Sequence, residues 1–585
     1  MKKGGNSPPF SFLVCDKFPA TSSGELMPQF RCSAHCVALL IALASFSVSA
    51  ARADDQVTID FGKLKGAYNS DHSVLMFKGV PFAAPPVGEL RWKPPQPAKK
   101  WDGVRVGDKF GPPCMQTDVF GDILQFMRDA QPSEDCLNLT IWLPASAKAK
   151  SKLPVFVWYY GGGFVAGGNS EKRYDGEALA KKGVIVVEPN YRLGVFGFLS
   201  HPELSKESGH NSSGNYGLLD QVAAVQWVVK NIAAFGGDPH NITIGGESAG
   251  SLSVSALMAS PLSRNLFQKA IGESGAFFPA SPTAGMQLRP VSVTEQTGVK
   301  FAESVGAKSL AELRAKSAGE LLQAAAAKFN NGFAFGPNAD GYYLPTDALS
   351  IYTKREQAKV PLLAGWNADE GKAQVLLSPQ KTTAASFKEM AEKRFGSNAA
   401  EFLKLYPATN DDEALVSAET LSGDDFIAFS TWKWMDLHSK SGAPVYRYHF
   451  EQIPKAKPGE KIDTLSVEEA GARHACEIEY VFQTLKLAHG DTPWADDDFK
   501  VSEAMATYWT NFVKTGNPNG SGSDGKALPD WPRYKSKDDK GRDAYWIMHL
   551  SGHNLAAAPD TVRPRYLFLD SNSAQASAKQ SGASR

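Results

Sequence analysis

The sequence predicts an α/β fold in which a mostly parallel central sheet carries helical insertions over its carboxyl edge. Three observations predict it. Val155-Phe156-Val157-Trp158-Tyr159-Tyr160, Val184-Ile185-Val186-Val187 and Ile242-Thr243-Ile244 are short apolar runs rich in β-branched and aromatic residues, as strands buried on both faces require. Between the second and third, Gly217 to Asn231 sets Leu218, Val222, Val225 and Val229 on one helical face, so this stretch reads as a β-α-β crossover. The third run ends in Gly246-Glu247-Ser248-Ala249-Gly250. That G-x-S-x-G pattern turns a strand tightly into a helix and leaves the Ser hydroxyl exposed at the sheet's carboxyl end.

The remaining elements follow in order. Val37 to Ala50 is apolar and is followed by Ala51-Arg52-Ala53, an A-x-A cleavage pattern. It is too short to span a bilayer comfortably and reads as an export signal. Met27 gives a leader of normal length, so residues 1–53 read as the signal region and 1–26 read as an over-called start. No second apolar run of membrane-spanning length follows, so the sequence predicts a periplasmic or secreted protein without a stable membrane anchor. Residues 57–110 alternate apolar and polar positions between Gly and Pro turns, as antiparallel strands do. Residues 280–350 and 375–440 read as mostly helical insertions that roof a pocket, and 54–570 as one catalytic-type domain. The Ser/Ala/Gln-rich tail, 571–585, reads as disordered. Lys+Arg and Asp+Glu balance at 62 each, so charge gives no case for a nucleic-acid or anionic-membrane partner.

Export leaves Cys114, Cys136 and Cys476 in the mature chain. Cys114 and Cys136 bracket a polar and aromatic loop and are expected to form a disulfide. Cys476 is expected to be a small buried residue with a free thiol. No Cys/His spacing resembles a metal site, and no cofactor is implied.

A Ser hydroxyl is a weak nucleophile until a neutral imidazole takes its proton and a carboxylate holds that imidazole. Downstream of Ser248, the loop after the apolar run Val360 to Ala364 carries Asp369 and Glu370. His474 lies in a polar loop entering the apolar segment Ile478 to Phe482, a setting that His438, His449, His489, His549 and His553 lack. Tyr160-Gly161-Gly162-Gly163-Phe164 directly follows a core strand. Its glycines let backbone N–H groups face a bound carbonyl, and Gly162 and Gly163 with Ala249 would form a three-donor oxyanion hole.

Together these motifs resemble the type-B carboxylesterase and lipase family, which includes the cholinesterases. The resemblance spans about Val57 to Leu569. It rests on the elbow stretch from Phe235 to Gly250, on Glu134-Asp135-Cys136-Leu137-Asn138-Leu139, on Asn190 to Phe198, on Gly217 to Gln221 and on Trp509-Thr510-Asn511-Phe512. It implies an α/β-hydrolase fold with a gorge over the active site, and a serine carboxylic-ester hydrolase acting on small-molecule esters. It selects Glu370 over Asp369 as the triad acid, through the Asp-Glu-Gly motif, and His474 through its His-x-x-Glu stretch. It further implies that Glu247, Ser274 and Glu477 surround the triad, that Arg91–Glu134 and Arg192–Asp220 are structural salt bridges, and that Cys114–Cys136 is the family's first disulfide.

The departures bear on substrate. Cholinesterases carry a Trp in the disulfide loop, whereas Phe120 and Phe126 are the only aromatics between Cys114 and Cys136, so a choline-ester specialist is not expected. The alternatives are an amidase, an esterase narrowed to one xenobiotic or toxin ester, and a non-catalytic adhesion member. Oligomeric state does not follow from the sequence.

Overall fold

A computed structural model describes residues 55–121, 123–128, 131–278, 288–522, 525–537 and 540–583. The export signal and its cleavage pattern lie outside the described residues. The main sheet has twelve strands among them. They are β1 (Ala67–Tyr68), β2 (Val74–Pro81), β3 (Asn138–Pro144), β4 (Leu153–Tyr159), β5 (Ile185–Pro189), β6 (Gly237–Glu247), β7 (Lys269–Glu273), β8 (Leu362–Asn367), β9 (Val445–Phe450), β10 (Lys535–Lys537), β11 (Asp543–Leu550) and β12 (Leu555–Pro559). Their spatial order is β10-β11-β9-β8-β7-β6-β4-β5-β3-β2-β1, with β12 on β11. Every pairing from β5 through β4, β6, β7, β8 and β9 to β11 is parallel, and the flanking pairings are antiparallel. This is the α/β-hydrolase fold that the sequence predicts.

The three apolar runs sit where that pattern demands. Val155, Val157 and Tyr159 on one face of β4, and Phe156 and Trp158 on the other, are all buried, because helices cover both faces of a parallel sheet. Helix α1 (Tyr216–Asn231) buries Leu218, Val222 and Val225 and packs Val229 against the same core. Helix α2 (Ala249–Ala259) is buried along its whole length. A helix that is small and apolar all round belongs in a core, and its Ala and Ser residues let it lie close to β4, β6 and β7.

The insertions are helical, as expected. Helices α3 (Val291–Ser304) and α4 (Ala318–Lys328) fall in the first, and α5 (Ala384–Phe395), α6 (Asp411–Gly423) and α7 (Phe429–Ser439) in the second. Phe387, Phe402, Tyr406 and Leu421 form a second, smaller core within the latter. One detail differs from the sequence reading. Near the N-terminus, Gln56–Ile59 and Gly62–Lys65 pair antiparallel, but Val104–Val106 joins Gly62–Lys65 in parallel. The chain passes through β1 and β2 before it returns, so it arrives in the same direction. The last described element is helix α8 (Arg563–Ala583).

Cys114 and Cys136 are disulfide-bonded, and Cys476 is free and buried. The bridge closes a loop of sequence separation 22, so Cys136→Ser should destabilise the fold by about 3 kcal/mol, mainly by freeing the unfolded chain. A lowered melting temperature in thermal scans, reproduced by reductant on the unmodified protein, is the expected result. Arg91 meets Glu134 at 2.6 Å and Arg192 meets Asp220 at 2.8 Å, both pairs largely buried. Arg91 also donates to the carbonyls of Arg314 and Lys316, so its ion pair fastens that segment to the loop carrying Glu134.

Candidate active site

At the end of β6 the chain turns through Ser248, whose φ of 54° and ψ of −118° lie in a region that non-glycine residues rarely occupy. Its N–H donates to the Glu273 carbonyl at 2.8 Å, which locks the turn to β7. The turn also needs close backbone approach. A Cβ on Gly250 would lie 1.9 Å from the Tyr159 carbonyl oxygen, and one on Gly246 2.5 Å from the same atom. Hence only glycine fits on either side of x-Ser248-x.

Three loops from separate carboxyl strand ends converge on this hydroxyl. His474 Nε2 stands 2.9 Å from Ser248 Oγ, and its Nδ1 stands 2.7 Å from Glu370 Oε2. The other Glu370 oxygen accepts from Ser274 Oγ at 2.5 Å and from the Asn367 N–H at 3.0 Å. Asp369, the neighbouring acid, points elsewhere and accepts from the Ala472 N–H at 2.8 Å. The two acids thus divide the work: one contacts the imidazole and the other holds the loop that carries it. Glu477 is buried and accepts from Asn367 Nδ2 at 2.5 Å, so it connects to Glu370 through Asn367.

Glu247 also lies against the imidazole. Its Oε1 lies 3.2 Å from His474 Nε2, the atom that also faces Ser248. Burial alone would lower the His474 pKa, but Glu247 and then Glu370 outweigh it and raise it to about 9. Burial lifts the Glu247 carboxyl to about 7, against the pull of His474. Behind them Glu273, which sequence reasoning did not single out, accepts from Trp509 Nε1 at 2.7 Å, and burial raises its carboxyl to about 8. Burial raises Glu477 as well, and Glu247 and Glu273 add to it. It also raises the Cys476 thiol, which keeps that side chain neutral although it borders the gorge.

Opposite the hydroxyl, Gly162 has φ 96° and Gly163 φ 62°. A Cβ on Gly162 would meet the Ala166 carbonyl oxygen at 2.3 Å. Both glycines border the same cavity as Ser248. Ala249 is the first residue of α2, so its N–H has no acceptor within the helix and sits at the positive end of the dipole.

The cavity, of about 510 Å³, is the gorge. Phe120 and Phe126 reach it from the disulfide loop, and Phe333 and Phe426 from the insertions. Phe426 rides on a π-helical turn, Asp424–Ala428, and stands edge-on to His474 with centroids 5.0 Å apart. The extra residue of such a turn re-aims a side chain, and no local sequence pattern announces it. Charged groups share the wall: Arg173, Lys455 and Arg473 with Glu460 and Glu479. Outside the gorge, among the described residues, His449, Glu451 and His549 form one trio able to hold a metal ion. Their spacing along the chain gave no sign of it.

The sequence profile of the carboxylesterase family matches residues 53–544. The chain belongs to the carboxylesterase family. This esterase is 35% identical over 530 residues to the fumonisin B1 esterase of Sphingopyxis macrogoltabida, covering 89% of this chain and 92% of that one. It is also 35% identical to carboxylesterase 1E of Mus musculus, over 86% and 92% of the two chains. Among solved structures it is similar to a PNB esterase (TM-score 0.72, 31% identity, 88% and 99% coverage). The carboxylesterase EST55 of Geobacillus stearothermophilus gives a TM-score of 0.71 at 31% identity, with 88% and 100% coverage. The esterase therefore hydrolyses ester bonds on a fold shared with those enzymes. No helix among its described residues is long and apolar enough to cross a membrane.

Proposed function

We propose that this esterase cleaves small carboxylic esters by two-step acyl transfer through Ser248. The observation that carries this reading is the position of His474, with one ring nitrogen on the Ser248 hydroxyl and the other on Glu370, at the wall of the gorge. His474 Nε2 takes the Ser248 proton as Oγ attacks the ester carbonyl carbon. The carbonyl oxygen becomes an oxyanion facing the N–H groups of Gly162, Gly163 and Ala249, each worth about 3–4 kcal/mol in the transition state. The tetrahedral intermediate collapses, the alkoxy bond breaks, and His474 delivers the proton to the departing alcohol. Water then attacks the acyl-enzyme by the same route and regenerates Ser248. Glu370 fixes the tautomer and stabilises the imidazolium, and Ser274 and Asn367 hold Glu370 in place. The protein acts after export, in the periplasm or medium; the Cys114–Cys136 bond suits an oxidising compartment.

A narrower reading, an esterase for one xenobiotic or toxin ester, is favoured by the relative named for fumonisin B1 and by the charged gorge wall. Rates on p-nitrophenyl esters from acetate to decanoate, beside the matched anilides and fumonisin B1, test both. Turnover of the short esters with anilides at least about 10²-fold slower is expected. Inert simple esters with active fumonisin B1 would replace the general reading by the narrow one.

The raised His474 pKa has a kinetic consequence. Only the neutral imidazole accepts the Ser248 proton, so activity is lost as pH falls through the pKa of about 9. The profile of kcat/KM should rise through neutral pH toward that midpoint. Glu247→Gln removes the largest influence that raises it, so the midpoint should fall by about one pH unit or more. An unchanged midpoint would show that Glu247 does not act on the imidazole.

A further inference from the structure

The trio outside the gorge is built by the sheet itself. β9 and β11 are parallel neighbours, and His449 stands opposite His549 in their register. Residues side by side on adjacent strands project from one face, and Glu451, two positions beyond His449, shares it. The Glu451 N–H donates to the Leu550 carbonyl at 3.0 Å, which keeps its carboxylate beside both rings. One carboxylate oxygen, Oε1, is 2.9 Å from His449 Nδ1 and 2.6 Å from His549 Nδ1. Both Nδ1 atoms therefore converge on one carboxylate oxygen, and the ring planes cross at 87° with centroids 6.1 Å apart, so the rings do not stack. A cavity of about 320 Å³ borders all three side chains and leaves room for water at further coordination positions.

We propose that His449, Glu451 and His549 form a binding site for a borderline divalent transition metal, Zn2+ in the first instance, that ties β9 to β11. Two imidazoles and one carboxylate suit Zn2+, Co2+ or Ni2+ rather than Mg2+ or Ca2+, which prefer all-oxygen sites. Ligands at about 2.1 Å in a tetrahedral arrangement stand about 3.4 Å apart, so the trio opens by less than about 1 Å. Ligation through Nδ1 leaves each ring proton on Nε2. The site is separate from ester cleavage, but its cavity also borders Asn367 and Glu370, on the far side of the triad acid from the gorge.

The test is calorimetric titration of the chelator-treated intact protein with ZnCl2, together with thermal scans. One Zn2+ per chain and a melting temperature raised by about 2–4 °C are expected, with MgCl2 giving neither. His549→Asn and Glu451→Gln should each weaken binding at least about tenfold and cancel the shift. His474→Ala, which removes the gorge imidazole, should leave both intact. Circular dichroism reports whether each variant folds. Should the trio variants fail to fold, Co2+ added to His474→Ala provides the second readout, a visible absorption band from nitrogen ligation. No Zn2+ binding, equal binding by His549→Asn, loss of binding in His474→Ala, or no Co2+ band would each overturn the proposal.

Discussion

Replacing Ser248 by Ala should lower kcat/KM on p-nitrophenyl butyrate by about 10⁵- to 10⁶-fold while leaving the melting temperature nearly unchanged. The two halves of this prediction have separate physical grounds. Among the described residues the Ser248 hydroxyl has one side-chain partner, His474 Nε2, and that bond crosses the active site rather than the core. The turn at φ 54° is held by the Ser248 N–H on Glu273, by the glycines around it and by α2. Alanine keeps all of these and bears the same backbone strain. What it loses is the atom proposed to bond to the acyl carbon, and no other hydroxyl among the described residues stands on His474 Nε2. The proposed oxyanion donors remain, so a residue of activity above bulk water is expected to survive. Purified Ser248→Ala that retained more than a per cent of the normal rate would show that another group performs the attack.

Gly250→Ala should have the second largest effect, and it acts through the fold. The new Cβ would meet the Tyr159 carbonyl oxygen at 1.9 Å and its carbonyl carbon at 2.8 Å. Both belong to the end of β4, so no flexible side chain can move aside. Either α2 shifts off the strand or the strand end shifts under the Tyr160 to Gly163 loop. Both routes move a proposed oxyanion donor, Ala249 in the first case and Gly162 or Gly163 in the second. A loss of about 3 kcal/mol or more in stability is expected, with kcat falling at least about 10²-fold in whatever protein folds. Gly319→Ala is the matched control. Gly319 sits exposed in α4 with nothing within 4 Å of an added Cβ, so this change should stabilise by about 0.5–1 kcal/mol. Denaturant midpoints measured side by side check both signs. A Gly250→Ala protein as stable and active as its parent would remove the close-approach argument.

These two positions also show what was legible in the sequence. The elbow, the three buried strands and α1 rest on local periodicity, which a single chain displays directly. The pairing of Glu370 with His474 spans 104 residues. From the residues alone Asp369 was an equal candidate; the resemblance chose between them, and the structure gives each acid its own partner. Glu247 was expected nearby, but its approach to Nε2 depends on how the His474 loop docks on β6, which neither segment encodes alone. Phe426 reaches the imidazole through a π-helical turn whose residues read as ordinary helix. The His449, Glu451 and His549 trio depends on strand register across about a hundred residues, and register between distant strands is set by the whole sheet.

The central claim, that Ser248 is the atom that receives the acyl group, is tested most directly with diethyl p-nitrophenyl phosphate. This reagent traps a serine activated by an adjacent imidazole and leaves a stable phosphoryl ester. The account predicts release of one equivalent of p-nitrophenol per chain, parallel loss of esterase activity, and a diethylphosphoryl mass increment on the peptide bearing Ser248. Full esterase activity after exhaustive exposure, or inactivation with the increment on another residue and Ser248 unmodified, would contradict it.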